Sequence, residues 1–280
     1  MLNKYFTLEN GVKIPALGIG TWQIDNEKIV QVVKDALEVG YRHIDTAQLY
    51  ENEEGIGKAL KESSISRNEL FITTKISASI KDYQNTKNSI EQSLQKLGLD
   101  YIDLLLIHSP RPFEEMFEYQ GKDYREENLE VWKALEEAYE SGKARAIGVS
   151  NFDENDIDYL IQNAKYRPMI NQVLCNITHY PKRVIEKCRK RGILVQSYSP
   201  NATGKLKGKE LQELADKYHC TLPQLGNRFD FQLGTVVLPK TTHKEYMIQD
   251  SQIHFEISKE DMEYLQSLGQ YVGWKGADSE

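Results

Sequence analysis

Short apolar, β-branched runs alternate with longer amphipathic stretches along the whole chain. The runs predict strands at Ala16–Thr21, Tyr41–Ile44, Leu70–Lys75, Ile102–His108, Ala144–Val149, Met169–Gln172, Ile193–Tyr198 and Thr235–Leu238. The stretches between them repeat with a helical period, as in Ile29, Val32, Val33, Ala36 and Leu37 ahead of a glycine stop at Gly40. Strict alternation of strand and helix implies a parallel sheet, and eight such units close into a (β/α)8 TIM barrel. Ahead of the first strand, Phe6–Ile14 reads as a β-hairpin about Asn10-Gly11. It has no place in the eightfold ring and is expected to close the barrel's bottom. Two connections are long, Ser109–Glu126 after the fourth strand and Ser199–Leu206 after the seventh. Both belong on the carboxyl face, where loops over a substrate are found. No linker, repeat or low-complexity segment interrupts the pattern, so residues 1–280 read as one domain.

Several strands end in a reactive side chain. Lys75 closes an apolar run whose interior has no use for an ammonium, so the charge needs a partner or a task. Tyr41–Ile44 is followed at once by Asp45, with Tyr50 in the loop beyond, and Ile102–His108 ends in a histidine. A phenol of ordinary pKa donates its proton poorly at neutral pH, and a cation held against it is expected to lower that pKa. Lys75 could do this if Asp45 keeps it charged, while His108 hydrogen-bonds a substrate oxygen beside Tyr50. Each feature also has an ordinary explanation. Asp45 and Lys75 could form a purely structural pair, and a lone His108 could be a satisfied core histidine. Tyr50 is one of 16 tyrosines, so only the combination is specific.

Composition narrows the field. Against 35 basic residues stand 42 acidic ones, a net charge of -7 that argues against nucleic-acid or anionic-membrane partners. Cys175, Cys188 and Cys220 form no CxxC pair and read as free thiols of a reducing compartment. The start of the chain lacks a signal peptide's apolar core and no stretch could span a bilayer, so a cytoplasmic protein is expected; it is taken as a monomer, although the sequence does not encode oligomeric state in a readable way. There is no H-x-H cluster for a metal-dependent hydrolase, and no metal site is expected. Nor is there a G-x-G-x-x-G or a Walker motif. Gly18-Ile19-Gly20 and Gly55-Ile56-Gly57 are too short, and Gly204–Gly208 has the wrong spacing. Any dinucleotide must therefore be held by the barrel itself. The basic run from Lys182 to Arg191 reads as a solvated helix face.

Gly40-Tyr41-Arg42-His43-Ile44-Asp45-Thr46-Ala47, followed by Tyr50, Asn52, Glu53 and Gly57, resembles the signature of the aldo-keto reductases. The resemblance runs from Asn10–Trp22 through Gly142–Phe152 to Leu238-Pro239-Lys240, nearly the whole chain. It implies NAD(P)H-dependent reduction of a small aldehyde or ketone, with Tyr50 as general acid, Lys75 and Asp45 as its tuners and His108 orienting the carbonyl. It implies a cofactor site of Gly20, Thr21, Asp45, Ser150, Asn151, Gln172, Tyr198, Ser199, Lys240 and Thr241, with Tyr198 stacked on the nicotinamide. Trp22, His108, Phe113 and Phe117 would meet the substrate. The aromatic set Phe113, Phe117, Tyr119 and Tyr124 could wall that pocket or simply anchor its loop.

The chain departs from the family pattern where the cofactor's phosphate should sit. Lys240 and Thr241 are present, but Tyr246 stands in the usual Arg position, and Gln249 and Asp250 replace Glu-Asn. Leu174-Cys175, Asn201-Ala202 and Ser109 are further departures on the same face. NADPH is the expected cofactor, with NADH admitted because Tyr246 lacks a guanidinium fork and Asp250 adds negative charge. The altered outer shell motivates a competing reading, a dinucleotide-binding redox sensor or structural barrel with negligible turnover. The intact Asp45, Tyr50, Lys75 and His108 count against it.

Overall fold

In a computed structural model describing residues 1–115 and 122–269, eight parallel strands form the barrel. A hairpin precedes them, β1 (Tyr5–Thr7) and β2 (Lys13–Pro15), paired antiparallel with Phe6 opposite Ile14. The barrel strands are β3 (Ile19–Gly20), β4 (His43–Asp45), β5 (Phe71–Ile76), β6 (Leu104–Ile107), β7 (Ile147–Ser150), β8 (Ile170–Leu174), β9 (Leu194–Tyr198) and β10 (Val236–Leu238). Each lies beside its sequence neighbour. The seam closes through Gly18 N to Val237 O (3.0 Å) and Gly20 N to Pro239 O (2.9 Å). All eight expected strands are present, with shifted ends. The first shrinks from six residues to two because Gly18 and Gly20 bond across the seam to β10 and the residue after it rather than within a longer ladder. A side chain at Gly18 would strike the His43 ring, so that glycine serves barrel packing.

The hairpin plugs the barrel, as its pattern required. Leu8 and Ile14 are buried among Phe71, Leu104, Ala146, Ile170 and Val236, residues at the amino ends of the strands. The opposite end is thereby left as the open face. Helices cover the outside. α1 (Lys28–Val39) buries Ile29, Val32, Val33, Ala36 and Leu37 and stops at Gly40, whose φ of 111° suits glycine alone. α2 (Glu53–Glu62), α3 (Tyr83–Leu97) and α4 (Arg125–Glu140) follow the next three strands. α5 (Glu154–Asn163) and α6 (Lys182–Lys190) carry the basic run's partners and the run itself. Arg183 pairs with Glu154, and Lys187 and Arg191 share Asp158, so the run is a partly paired surface of α6 and its end. α7 (Lys209–Lys217) and α8 (Leu222–Gln232) follow β9, and α9 (Lys244–Ser251) and α10 (Lys259–Leu268) follow β10. Among the described residues no helix is long and apolar enough to cross a membrane, and the three cysteines are free.

Candidate active site

The carboxyl ends of β4, β5 and β6 bring four side chains together. Lys75 is fully buried, and its Nζ lies 2.5 Å from Asp45 Oδ1 and 2.9 Å from the Thr46 carbonyl. Asp45 Oδ2 accepts from Gln172 Nε2 at 2.7 Å. Burial pulls the ammonium's pKa down and the carboxyl's up, and each partner opposes the shift in the other. With both oxygens of Asp45 and the ammonium hydrogen-bonded, the ion pair has the extra contacts that a buried pair requires.

Tyr50 sits in a single 3₁₀ turn (Gln48–Tyr50) after β4, with Lys75 Nζ 5.1 Å from its ring centroid. Its hydroxyl is 3.4 Å from His108 Nε2, and the two rings meet edge to face. His108 is buried. Desolvation, then the charge of Lys75, holds it well below the ordinary imidazole range, so it is neutral at physiological pH. Its Nδ1 has no hydrogen-bond partner among the described residues. The cheaper tautomer therefore keeps the proton on Nε2, aimed at Tyr50, because a buried N–H without an acceptor costs more than a bare lone pair. A carbonyl oxygen placed between these groups would meet one O–H and one N–H.

The expected lowering of the Tyr50 pKa is corrected by this arrangement. Burial raises the phenol above its ordinary value of 10.0, and the Asp45 charge raises it further. Lys75 spends its charge on Asp45, so the pair beside Tyr50 is nearly neutral overall and cannot offset desolvation. Tyr50 is held as a protonated phenol.

The remaining predicted residues fall in three places. Ser150, Asn151, Gln172 and Tyr198 gather at the ends of β7, β8 and β9. Asn151, in the left-handed region (φ 61°) that asparagine tolerates, donates from Nδ2 to the His108 carbonyl (3.0 Å) and to Ser150 Oγ (3.1 Å). Its Oδ1 accepts from the Tyr198 hydroxyl at 2.9 Å, which ties the end of β9 to that of β6. Ser199 follows with φ 51°, its carbonyl held by Asn176 Nδ2. Thr21 is fully buried and donates its hydroxyl to the Asp45 carbonyl at 2.9 Å. It braces Asp45 from beneath. Gly20, Lys240 and Thr241 lie together across the β3–β10 seam, with Lys240 exposed. Trp22 is half-buried at the end of β3.

Phe113 packs edge-on against His108 with ring centroids 4.9 Å apart, whereas Tyr124 bonds Glu115 within its own loop. One aromatic therefore faces the site and the other anchors the segment. Phe117 and Tyr119 lie outside the described residues. Tyr246 stands exposed, 51% accessible, with the His243 ring beside it. Asp250 is not a surface charge near a phosphate. It is buried, accepts from Asn227 Nδ2 at 2.8 Å, and burial lifts its pKa to about 7. Helix α9 turns that position inward against α8, which the sequence spacing could not reveal.

Residues missed in the sequence form the support beneath. Gln172 Nε2 also meets Gln196 Oε1 (3.0 Å), Gln196 reaches His43 Nε2 (3.5 Å), and Thr73 Oγ1 lies 3.1 Å from the same nitrogen. His43 is neutral, driven down to about 3 chiefly by burial. Polar residues at period-two, inward-facing strand positions were the available signal.

A model of the Aldo/keto reductase family matches residues 16–270 of the chain. Glyoxal reductase of Bacillus subtilis is 39% identical over 264 residues, spanning 93% of this chain and 91% of that protein. Methylglyoxal reductase of Escherichia coli K12 is 36% identical over 268 residues, spanning 94% and 92%. Among solved structures, an aldo-keto reductase from a Medee basin deep-sea metagenome library superposes with a TM-score of 0.87 at 35% identity, covering 98% of this chain and 99% of its own. A Bombyx mori aldo-keto reductase in complex with NADP gives 0.84 at 32% identity, covering 95% and 92%.

Proposed function

Because the chain belongs to the aldo/keto reductase family, we propose that it reduces small aldehydes or ketones to alcohols with a reduced nicotinamide dinucleotide, Tyr50 supplying the proton. The observation that carries this reading is the convergence of a neutral phenol and a neutral imidazole, 3.4 Å apart, over a buried Lys75–Asp45 pair. A reduced nicotinamide, when bound, supplies the hydride for the carbonyl carbon. The chain does the rest. His108 Nε2 and the Tyr50 hydroxyl hold the carbonyl oxygen between them. Burial keeps the proton on Tyr50 until negative charge grows on that oxygen, and the proton then moves across. The phenolate that forms keeps His108 Nε2–H as a donor 3.4 Å away, with Lys75, whose charge is shared with Asp45, 5.1 Å from its ring centroid.

The residues fit the cofactor. Tyr198, half-buried and tied by its hydroxyl to Asn151, offers a fixed aromatic face, with amide and hydroxyl groups of Ser150, Asn151 and Gln172 beside it for a carboxamide. At the far end partial desolvation, and after it the like charge of Lys28, lower the pKa of Lys240. Two cations so placed suit a phosphate, which favours NADPH. Tyr246 gives no guanidinium fork, so NADH should be discriminated against less than where an Arg occupies that position.

For substrate, glyoxal and methylglyoxal are the first to try, because the relatives named above are reductases of these two dicarbonyls. Loss of NADPH absorbance in the presence of each dicarbonyl tests the reading. Turnover supports it, and tight NADPH binding without turnover on any aldehyde would return the redox-sensor alternative.

A further inference from the structure

We infer that Gln48 is a positioning residue that fixes the Tyr50 hydroxyl relative to Lys75, an inference that rests on Tyr50 being the proton donor. Tyr50 is poorly held by its own bonds. Its 3₁₀ turn is a single turn, a geometry with weak hydrogen bonds, and among the described residues the turn's backbone bonds are Tyr50 N to Ala47 O (3.0 Å) and Glu51 N to Gln48 O (3.3 Å). The next residue, Glu51, takes a left-handed φ of 54°, so the chain leaves the turn through a strained step. The hydroxyl's contact with His108 is long at 3.4 Å.

Gln48 supplies what the turn lacks. Its Nε2 donates to the Ser89 carbonyl (3.1 Å) and to Ser93 Oγ (3.0 Å), one helical turn apart on the buried face of α3. Its Oε1 accepts from Ser77 N at 2.9 Å. The amide's orientation follows from chemistry, since a backbone N–H can only donate and a carbonyl can only accept. Gln48 lies two residues before Tyr50, and Ser77 lies two residues after Lys75. One amide therefore ties the turn bearing the proton donor to the strand end bearing its cation and fastens both to α3. Ser89 and Ser93 are buried small side chains that leave room for the amide to reach the helix. An apolar side chain of the same length would fill the space and supply none of the three bonds.

The test uses the purified protein, NADPH and glyoxal. Gln48→Leu should lower kcat by about 10- to 100-fold, the scale of a misplaced catalytic group, while KM for glyoxal and the NADPH dissociation constant stay within roughly threefold. Ser93→Ala removes one contact without touching the turn, and should lower kcat by roughly three- to tenfold in a protein that folds as the parent does. Gln48→Glu adds a readout that a merely structural role would not give. Its carboxylate repels the Ser89 carbonyl but can donate to it when protonated, so kcat relative to the parent should recover as pH falls toward the carboxyl's pKa. Parent-like kcat in Gln48→Leu would overturn the inference. So would a fall in kcat matched by equal losses of NADPH and glyoxal affinity in both Gln48→Leu and Ser93→Ala. If the parent itself reduces no carbonyl, the functional reading fails and the inference, which rests on it, falls with it.

Discussion

Replacing Lys75 with methionine separates the structural duty of its ion pair from its chemical one. Asp45 is 4% exposed, and in Lys75→Met its Oδ1 loses the ammonium at 2.5 Å while Oδ2 keeps Gln172 Nε2 at 2.7 Å. Stranding one charge of a buried pair costs about 3–5 kcal/mol. At roughly 2–4 °C per kcal/mol for a domain near this size, the melting temperature should fall by about 6–20 °C at neutral pH. Asp45 has one escape, to take up a proton. Burial already draws its pKa up, and loss of Lys75 removes the main opposing influence. A carboxyl whose folded pKa lies above the unfolded value of about 3.9 contributes fully only below that value, and its contribution is lost as pH rises through the folded pKa. The deficit of Lys75→Met against the parent should therefore be small near pH 5 and grow toward pH 8. The double variant Asp45→Asn/Lys75→Met carries no stranded charge and should regain most of the loss at pH 8, yet its turnover should stay low. Thermal unfolding by circular dichroism, with NADPH oxidation on the same samples, reads both. A deficit independent of pH, or a double variant no more stable than Lys75→Met, would refute the account of the pair.

Two further outcomes follow from the site. The ratio of kcat/KM for NADPH over NADH should lie between about ten and a few hundred, because the charge of Lys240 remains where the fork of an Arg is missing. Tyr246→Arg should raise that ratio and Lys240→Ala should take it toward unity, whereas a ratio beyond roughly a thousand would mean that another basic residue holds the phosphate. The pH profile of kcat for carbonyl reduction should show no alkaline fall from Tyr50 below about pH 10, since burial and Asp45 raise the phenol above its ordinary value of 10.0. A descending limb centred well below that pH, present in the parent and absent in Lys75→Met, would restore the idea that Lys75 lowers the phenol's pKa.

What the sequence revealed was whatever depended on period and order. Eight apolar runs, the Gly40 stop and the Asn10-Gly11 hairpin are local patterns, and barrel closure brings Asp45, Lys75 and His108 together from the ends of adjacent strands. Quantities that depend on the balance of neighbouring charges were not legible. The Tyr50 shift was misjudged because Asp45 cancels the influence of Lys75, a matter of ångströms rather than spacing. Asp250 was misplaced for a similar reason, since the rotation of α9 that turns it toward Asn227 is fixed by packing. Thr21 was placed at the end of the first strand, and its hydroxyl bond to the Asp45 carbonyl could not be read from the sequence. Gln48 escaped notice because nothing in a strand pattern singles out a polar residue inside a short loop, and its three partners lie on two other segments, the end of β5 and α3.

The claim that Tyr50 delivers the proton is tested most directly by single-turnover reduction of glyoxal in Tyr50→Phe, with NADPH affinity measured on the same protein. The ring, and with it the packing against His108, survives the change, and only the hydroxyl is lost. The account predicts at least a ~10²-fold fall in the rate of NADPH oxidation with the NADPH dissociation constant within a few-fold of the parent's. A variant that keeps most of the parent's single-turnover rate would contradict it and remove Tyr50 from the chemistry.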